Sequence, residues 1–142
     1  MSNETLQPAE WPRPKGYANG MAARGRMIFI SGQIGWDEQG RFTGDTLAEQ
    51  VRQALRNIVR VLAEGKAQPH HLVRLTWYVL SREAYLREVR EIGAGYREVI
   101  GKHFPTMSVV KVKGLVEQKA LVEIEATAVV PDDETHGDLA PT

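Results

Sequence analysis

Leu121-Val122-Glu123-Ile124-Glu125-Ala126-Thr127-Ala128-Val129-Val130 is the stretch on which the reading of the fold turns. Side chains alternate between the two faces of a strand. Val122, Ile124, Ala126, Ala128 and Val130 are all apolar and suit a face covered by helices. Leu121, Glu123, Glu125 and Thr127 fall on the other face, which is half polar. The strand before it, Met107 to Lys113, sets Met107, Val109, Lys111 and Lys113 against Ser108, Val110 and Val112.

Working outward, Arg26 to Ser31 is a short apolar run ending at Gly32, and Tyr17 to Ala23 is its expected hairpin partner through Arg24-Gly25. A helix is expected from a cap at Asp45 or Thr46. Its stripe is Leu47, Val51, Ala54, Leu55, Ile58, Val61 and Leu62, and it stops at Gly65 before Pro69. Leu72 to Leu80 reads as a central strand. Ser81 caps a second helix that presents Tyr85, Val89, Ile92, Tyr96, Val99 and Ile100. Gly93 and Gly95 inside it cost about 1 kcal/mol each relative to Ala, so a close packing partner or a ligand is expected there. The order β-β-α-β-α-β-β predicts an α+β fold. Two helices lie on one face of a mixed sheet, with hairpins at both ends. The other face, on this reading carrying Trp77, Leu121, Met107 and Val109, needs cover, and an interface with further copies of the chain is expected.

At 142 residues, with 42% hydrophobic and 25% charged residues, the chain can bury a core without staples. It has no Cys, which excludes disulfides and thiolate chemistry. Residues 1–14 are expected to be an extended lead-in, residues 15–131 a single domain, and residues 132–142 an acidic flexible tail. Setting aside the tail's four acids leaves 18 basic against 14 acidic residues, too mild an excess for a nucleic-acid footprint. No segment is apolar enough for a membrane helix, and Met1 to Glu10 is too polar for a signal peptide, so a cytoplasmic protein is expected.

His70, His71, His103 and His136 show no paired metal-ligand spacing, and no metal site is expected. Phosphate loops are absent, because Ser31-Gly32-Gln33-Ile34-Gly35 has neither the Walker nor the dinucleotide spacing. Glu123 and Glu125 have two readings. One is cross-strand pairing with Lys111 or Lys113; the other is a carboxylate in a shielded cleft that exchanges a proton with a small substrate. Tyr17 either lines such a cleft through its hydroxyl or covers the core.

Gly16-Tyr17, Ile30-Ser31-Gly32-Gln33-Ile34, Gln53-Ala54-Leu55-Arg56-Asn57-Ile58 and Leu121-Val122-Glu123-Ile124-Glu125-Ala126 together resemble the RidA/YjgF family, also labelled L-PSP endoribonuclease-like. The resemblance runs from about Tyr17 to Val130. It implies a chorismate-mutase-like fold assembled as a homotrimer, with an inner barrel of sheets and small-molecule clefts between subunits. It also implies hydrolysis of reactive enamines and imines, such as 2-aminoacrylate, to 2-oxo acids and ammonia, without cofactor or metal. Two positions depart from the family pattern. Met107, in Pro105-Thr106-Met107-Ser108, stands where the family's deaminases carry the Arg that grips the substrate carboxylate, and Gly93 stands where they carry Asn.

The resemblance therefore implies Glu123 and Tyr17 as catalytic candidates, and Ser31, Gly32, Gly93, Met107 and Lys111 as substrate-binding candidates. Lys111 or Lys113 is the expected stand-in for the missing Arg. The leading expectation is an enamine/imine deaminase-like hydrolase. The alternative is a non-catalytic trimeric small-molecule-binding or stress-associated protein. Nucleic acid is not an expected partner, since no basic aromatic platform is evident.

Overall fold

The computed structural model describes residues 2–134. Thr46 rather than Asp45 caps the first helix, α1 (Leu47–Glu64). The Glu49 amide donates to Thr46 Oγ1 at 3.2 Å, and Glu49 Oε1 accepts from the Thr46 amide at 3.1 Å. The expected stripe of α1 is buried except for Val61, and Gln50 joins it as a buried polar residue.

Six strands accompany the helices: β1 (Glu4–Leu6), β2 (Gly20–Ala22), β3 (Gly25–Gln33), β4 (Leu72–Val79), β5 (Thr106–Lys111) and β6 (Val122–Pro131). The main sheet runs β3-β6-β4-β5. β6 is antiparallel to both neighbours, and β4 and β5 are parallel. This is a mixed α+β fold.

Both expected hairpins are absent. β2 pairs with β1, Thr5 opposite Met21, and not with β3. The segment read as a lead-in thus contributes a strand. β5 reaches β4 by a helical crossover and lies parallel to it, while β6 enters the slot between β4 and β3. The most uniformly apolar strand thereby gains a partner on each edge, where an edge position would leave half its backbone groups without one.

The second helix divides into α2 (Arg82–Arg87) and α3 (Val89–Val99), with Ser81 Oγ accepting from the Ala84 amide at 3.0 Å. Glu88 marks the break. Its Oε1 accepts from the Ala48 amide at 2.9 Å, so the carboxylate meets a first-turn donor of α1.

The parity of β6 is as expected. Val122, Ile124, Ala126, Ala128 and Val130 are buried beneath the helices. The parity assumed for β4 and β5 is not. Trp77 is buried on the helix side, and Met107 and Val109 register with Leu75 and Trp77 on that same side. The open face instead carries Phe29, 72% exposed, with Met27 and Val110 also exposed. It still presents apolar area to the outside, from different residues. No described helix is long and apolar enough to cross a membrane.

Candidate functional site

The candidate residues fall into two groups on opposite sides of the sheet. The first lies at the β3 bulge, where pairing with β6 slips between Ile30 and Gln33. The bulge carries exposed Ser31 and then Gly32, and a Cβ on Gly32 would overlap Glu123 Oε2. A side chain at this position would push that carboxylate from its place, which links the Ser31-Gly32-Gln33 motif to Glu123. Glu123 is half-buried, with no hydrogen-bond or ion-pair partner among the described residues.

Glu125 differs. It accepts from Tyr78 Oη at 2.6 Å, and that bond is the leading cause of an upward shift in the Tyr78 pKa. The pairing expected with Lys111 or Lys113 does not occur, because β4 separates β5 from β6.

The second group lines a cavity of about 410 Å³ between α2, α3 and β5. Tyr17, Gly93 and Met107 border it; Glu123, Ser31, Gly32 and Lys111 do not. Gly16, at φ +82°, turns the chain in, and the Ala18 amide donates to Pro105 O at 3.0 Å, holding Tyr17 beside the start of β5. The wall is aromatic. Trp77 stacks on Tyr96 with centroids 6.5 Å apart, and Tyr96 on Phe104 at 5.5 Å. Tyr96 Oη donates to His103 O at 2.6 Å, and burial pushes its pKa up, so it remains a neutral donor.

Three cavity features escaped the sequence reading. Trp77 Nε1 is buried without a hydrogen-bond partner. Lys15 and Arg97 line the cavity, whereas Lys111, the expected substitute cation, stands outside it. The spacing Gly93-x-x-x-Arg97 was the available signal, because residues four apart on a helix are neighbours.

Among the described residues, His70, His71 and Glu134 form a group with metal-ligating atoms close together. The hydrogen bonds argue for a different role. His71 Nδ1 accepts from the Gln68 amide at 3.0 Å, so Nε2 carries the proton and donates to Glu134 at 2.7 Å. A metal at Nε2 would require a ring bare of protons on both nitrogens, whereas ligating histidines keep their second N–H as a donor.

The hydrogen bond from His71 is the leading cause that holds the Glu134 carboxyl below its ordinary pKa. That contribution to stability is present above the unfolded carboxylate value of about 4.3 and is lost as pH falls through the lower folded value. Glu134 is 39% exposed, so the effect is small. Glu134→Gln is expected to make the denaturation midpoint less sensitive to acidification below about pH 5, read by urea titration across that range. His136 and the rest of the expected tail from residue 135 lie outside the described residues.

Residues 11–130 match the family described as Endoribonuclease L-PSP. A RutC family protein of Pyrococcus abyssi is 29% identical over 129 residues, covering 90% of this chain and 98% of its own. One from Aquifex aeolicus is 32% identical over 119 residues, covering 83% of this chain and 92% of its own. Among solved structures, the Rid family protein YyfB of Yersinia pestis, itself described as of unknown function, superposes with a TM-score of 0.78. It is 31% identical, over 92% of this chain and 100% of that one. The chain belongs to the L-PSP endoribonuclease family, the family also named RidA and YjgF.

Proposed function

We propose that this protein hydrolyses small imines or enamines to a carbonyl compound and ammonia, in a cleft completed by a second copy of the chain. The observation that carries the reading is the unpartnered Glu123 carboxylate held over Gly32, in a fold that sets Tyr17, Gly93 and Met107 around a separate cavity. One chain holds the two halves on opposite sides of its sheet. Contact between copies brings one subunit's carboxylate to its neighbour's cavity.

The chemistry needs no cofactor. Glu123 removes a proton from water as the oxygen adds to the carbon of the protonated C=N bond, which an enamine reaches by taking a proton on carbon, giving a neutral carbinolamine. The same carboxylic acid then protonates the nitrogen, the C–N bond breaks, and ammonia leaves as the hydroxyl proton is released. Tyr17 is the hydrogen-bond donor at the cavity. Met107 supports a second reading, a binding protein without turnover, because it removes the cation that would grip a substrate carboxylate. Release of ammonia and carbonyl product from a panel of freshly generated imines separates the two. Turnover supports the hydrolase, and ligand binding without turnover across the panel supports the binding protein.

The reading requires assembly, and a homotrimer is expected. Exposed Phe29, Met27 and Val110 make the open sheet face the surface to be covered. Phe29→Asp places a charge in that contact and is expected to shift the protein to monomer in light scattering at micromolar concentration. A wild-type monomer would remove the second copy from the reading.

A further inference from the structure

We propose that Arg97 is the anion-binding residue of the cavity beside α3, and that the cavity selects small carboxylates with an aromatic or branched apolar side chain. The proposal rests on reading this cavity as the substrate half of the cleft, and it names the substrate class.

Two observations converge. Gly93 has no side chain, and a Cβ there would lie 3.3 Å from Arg97 Nη1, so the guanidinium folds back along α3 over the vacant position and borders the cavity. Arg97 has no ion pair among the described residues, so its five donors are available to a ligand. A planar guanidinium takes a carboxylate in two parallel hydrogen bonds, which the other bordering cation, Lys15, does not.

Next, the floor and wall are apolar. Met107, Trp77 and Phe104 line a space of about 410 Å³, far larger than a three-carbon acid occupies, and rings offer stacking surface to an aromatic or branched body.

The cavity thus offers an anion clamp and an apolar body site, matching the two ends of a 2-oxo or 2-imino acid with a large side chain.

Stable 2-oxo acids serve as probes in titration calorimetry on the full chain. Phenylpyruvate is expected to bind at least tenfold more tightly than pyruvate. Arg97→Ala is expected to weaken phenylpyruvate at least tenfold, with Arg97→Lys losing less. Phenylacetone, which lacks the carboxylate, is expected to bind wild type and Arg97→Ala equally. Gly93→Asn is expected to displace the guanidinium and weaken phenylpyruvate as Arg97→Ala does. Arg97 is exposed, so the variants are expected to melt with wild type.

Indifference of phenylpyruvate binding to Arg97→Ala, equal affinity for the two acids, or no binding of phenylpyruvate would overturn the proposal. Arg97-dependent binding without turnover of any imine supports the proposal while the hydrolase reading fails. Imine turnover with Arg97-independent binding does the reverse.

Discussion

Gln50→Met is expected to lower stability by about 3–5 kcal/mol, although methionine matches glutamine in shape. Gln50 is 2% exposed and makes three hydrogen bonds from within the apolar stripe of α1. Its Nε2 donates to Gly44 O and to Lys119 O, each at 3.1 Å, and its Oε1 accepts from the Leu121 amide at 2.8 Å. One side chain therefore ties the loop before α1 and the loop before β6 to the helix between them. Methionine fills the volume but leaves two carbonyls and one amide, all in part-buried bonds, without their partner, and a buried group so left costs about 1–3 kcal/mol. Against a domain total of about 5–15 kcal/mol, that is a large share. Urea denaturation followed by far-ultraviolet circular dichroism reads the loss directly. A midpoint within error of wild type would show that water or loop movement satisfies those groups. Gln50→Glu separates the bonds, because it keeps the acceptor for Leu121 while facing two carbonyls with a carboxylate, so it is also expected to be destabilised.

Gln50 also shows where the sequence was and was not legible. The stripe of α1 could be read because seven apolar residues share a helical period, yet nothing in that period marks Gln50 as a tether. Two of its three partners lie far along the chain, at Lys119 and Leu121. The parity of β6 was readable because one of its faces is uniformly apolar. The parity of β5 was not, since Met107 and Val109 alternate with Ser108 and Val110, and each set is mixed. Only pairing with β4 decides it. Trp77 follows from the same pairing.

The missing hairpins share this cause. Strand neighbours are chosen by which edges can be paired across the whole sheet, and β6 takes the central slot that local turn chemistry would have given to other strands. At the candidate site, Glu123, Gly32 and Tyr17 were named through the resemblance, and the Gly32 approach to Glu123 gives that pairing a steric reason. Arg97 was hidden because its placement depends on what Gly93 lacks, and no composition or motif registers an absent side chain.

The contrast between Met107 and Arg97 leads to a crossover in substrate preference. Wild type is expected to hydrolyse 2-iminopropionate weakly, because a three-carbon acid cannot both reach Arg97 and fill the apolar floor that Met107 provides. Met107→Arg sets a guanidinium on β5, opposite Leu75, where a small carboxylate can be gripped in two bonds. A charge-assisted pair is worth about 1.5–3 kcal/mol, so kcat/KM for 2-iminopropionate is expected to rise about tenfold to a hundredfold. The same substitution removes apolar floor and places a second cation beside the ring site, so kcat/KM for the imine of phenylpyruvate is expected to fall at least about threefold. Glu123→Gln in either background keeps the shape over Gly32 but removes the proton acceptor. It is expected to cost about a hundredfold or more in kcat for both imines, with the assembly unchanged in light scattering. The measurement is 2-oxo acid and ammonia release from each imine, generated in place and corrected for its spontaneous hydrolysis. A wild type that turns over the two imines equally, and a Met107→Arg variant that changes neither, would place the carboxylate away from β5. Unchanged turnover in Glu123→Gln would take the proton transfer away from Glu123.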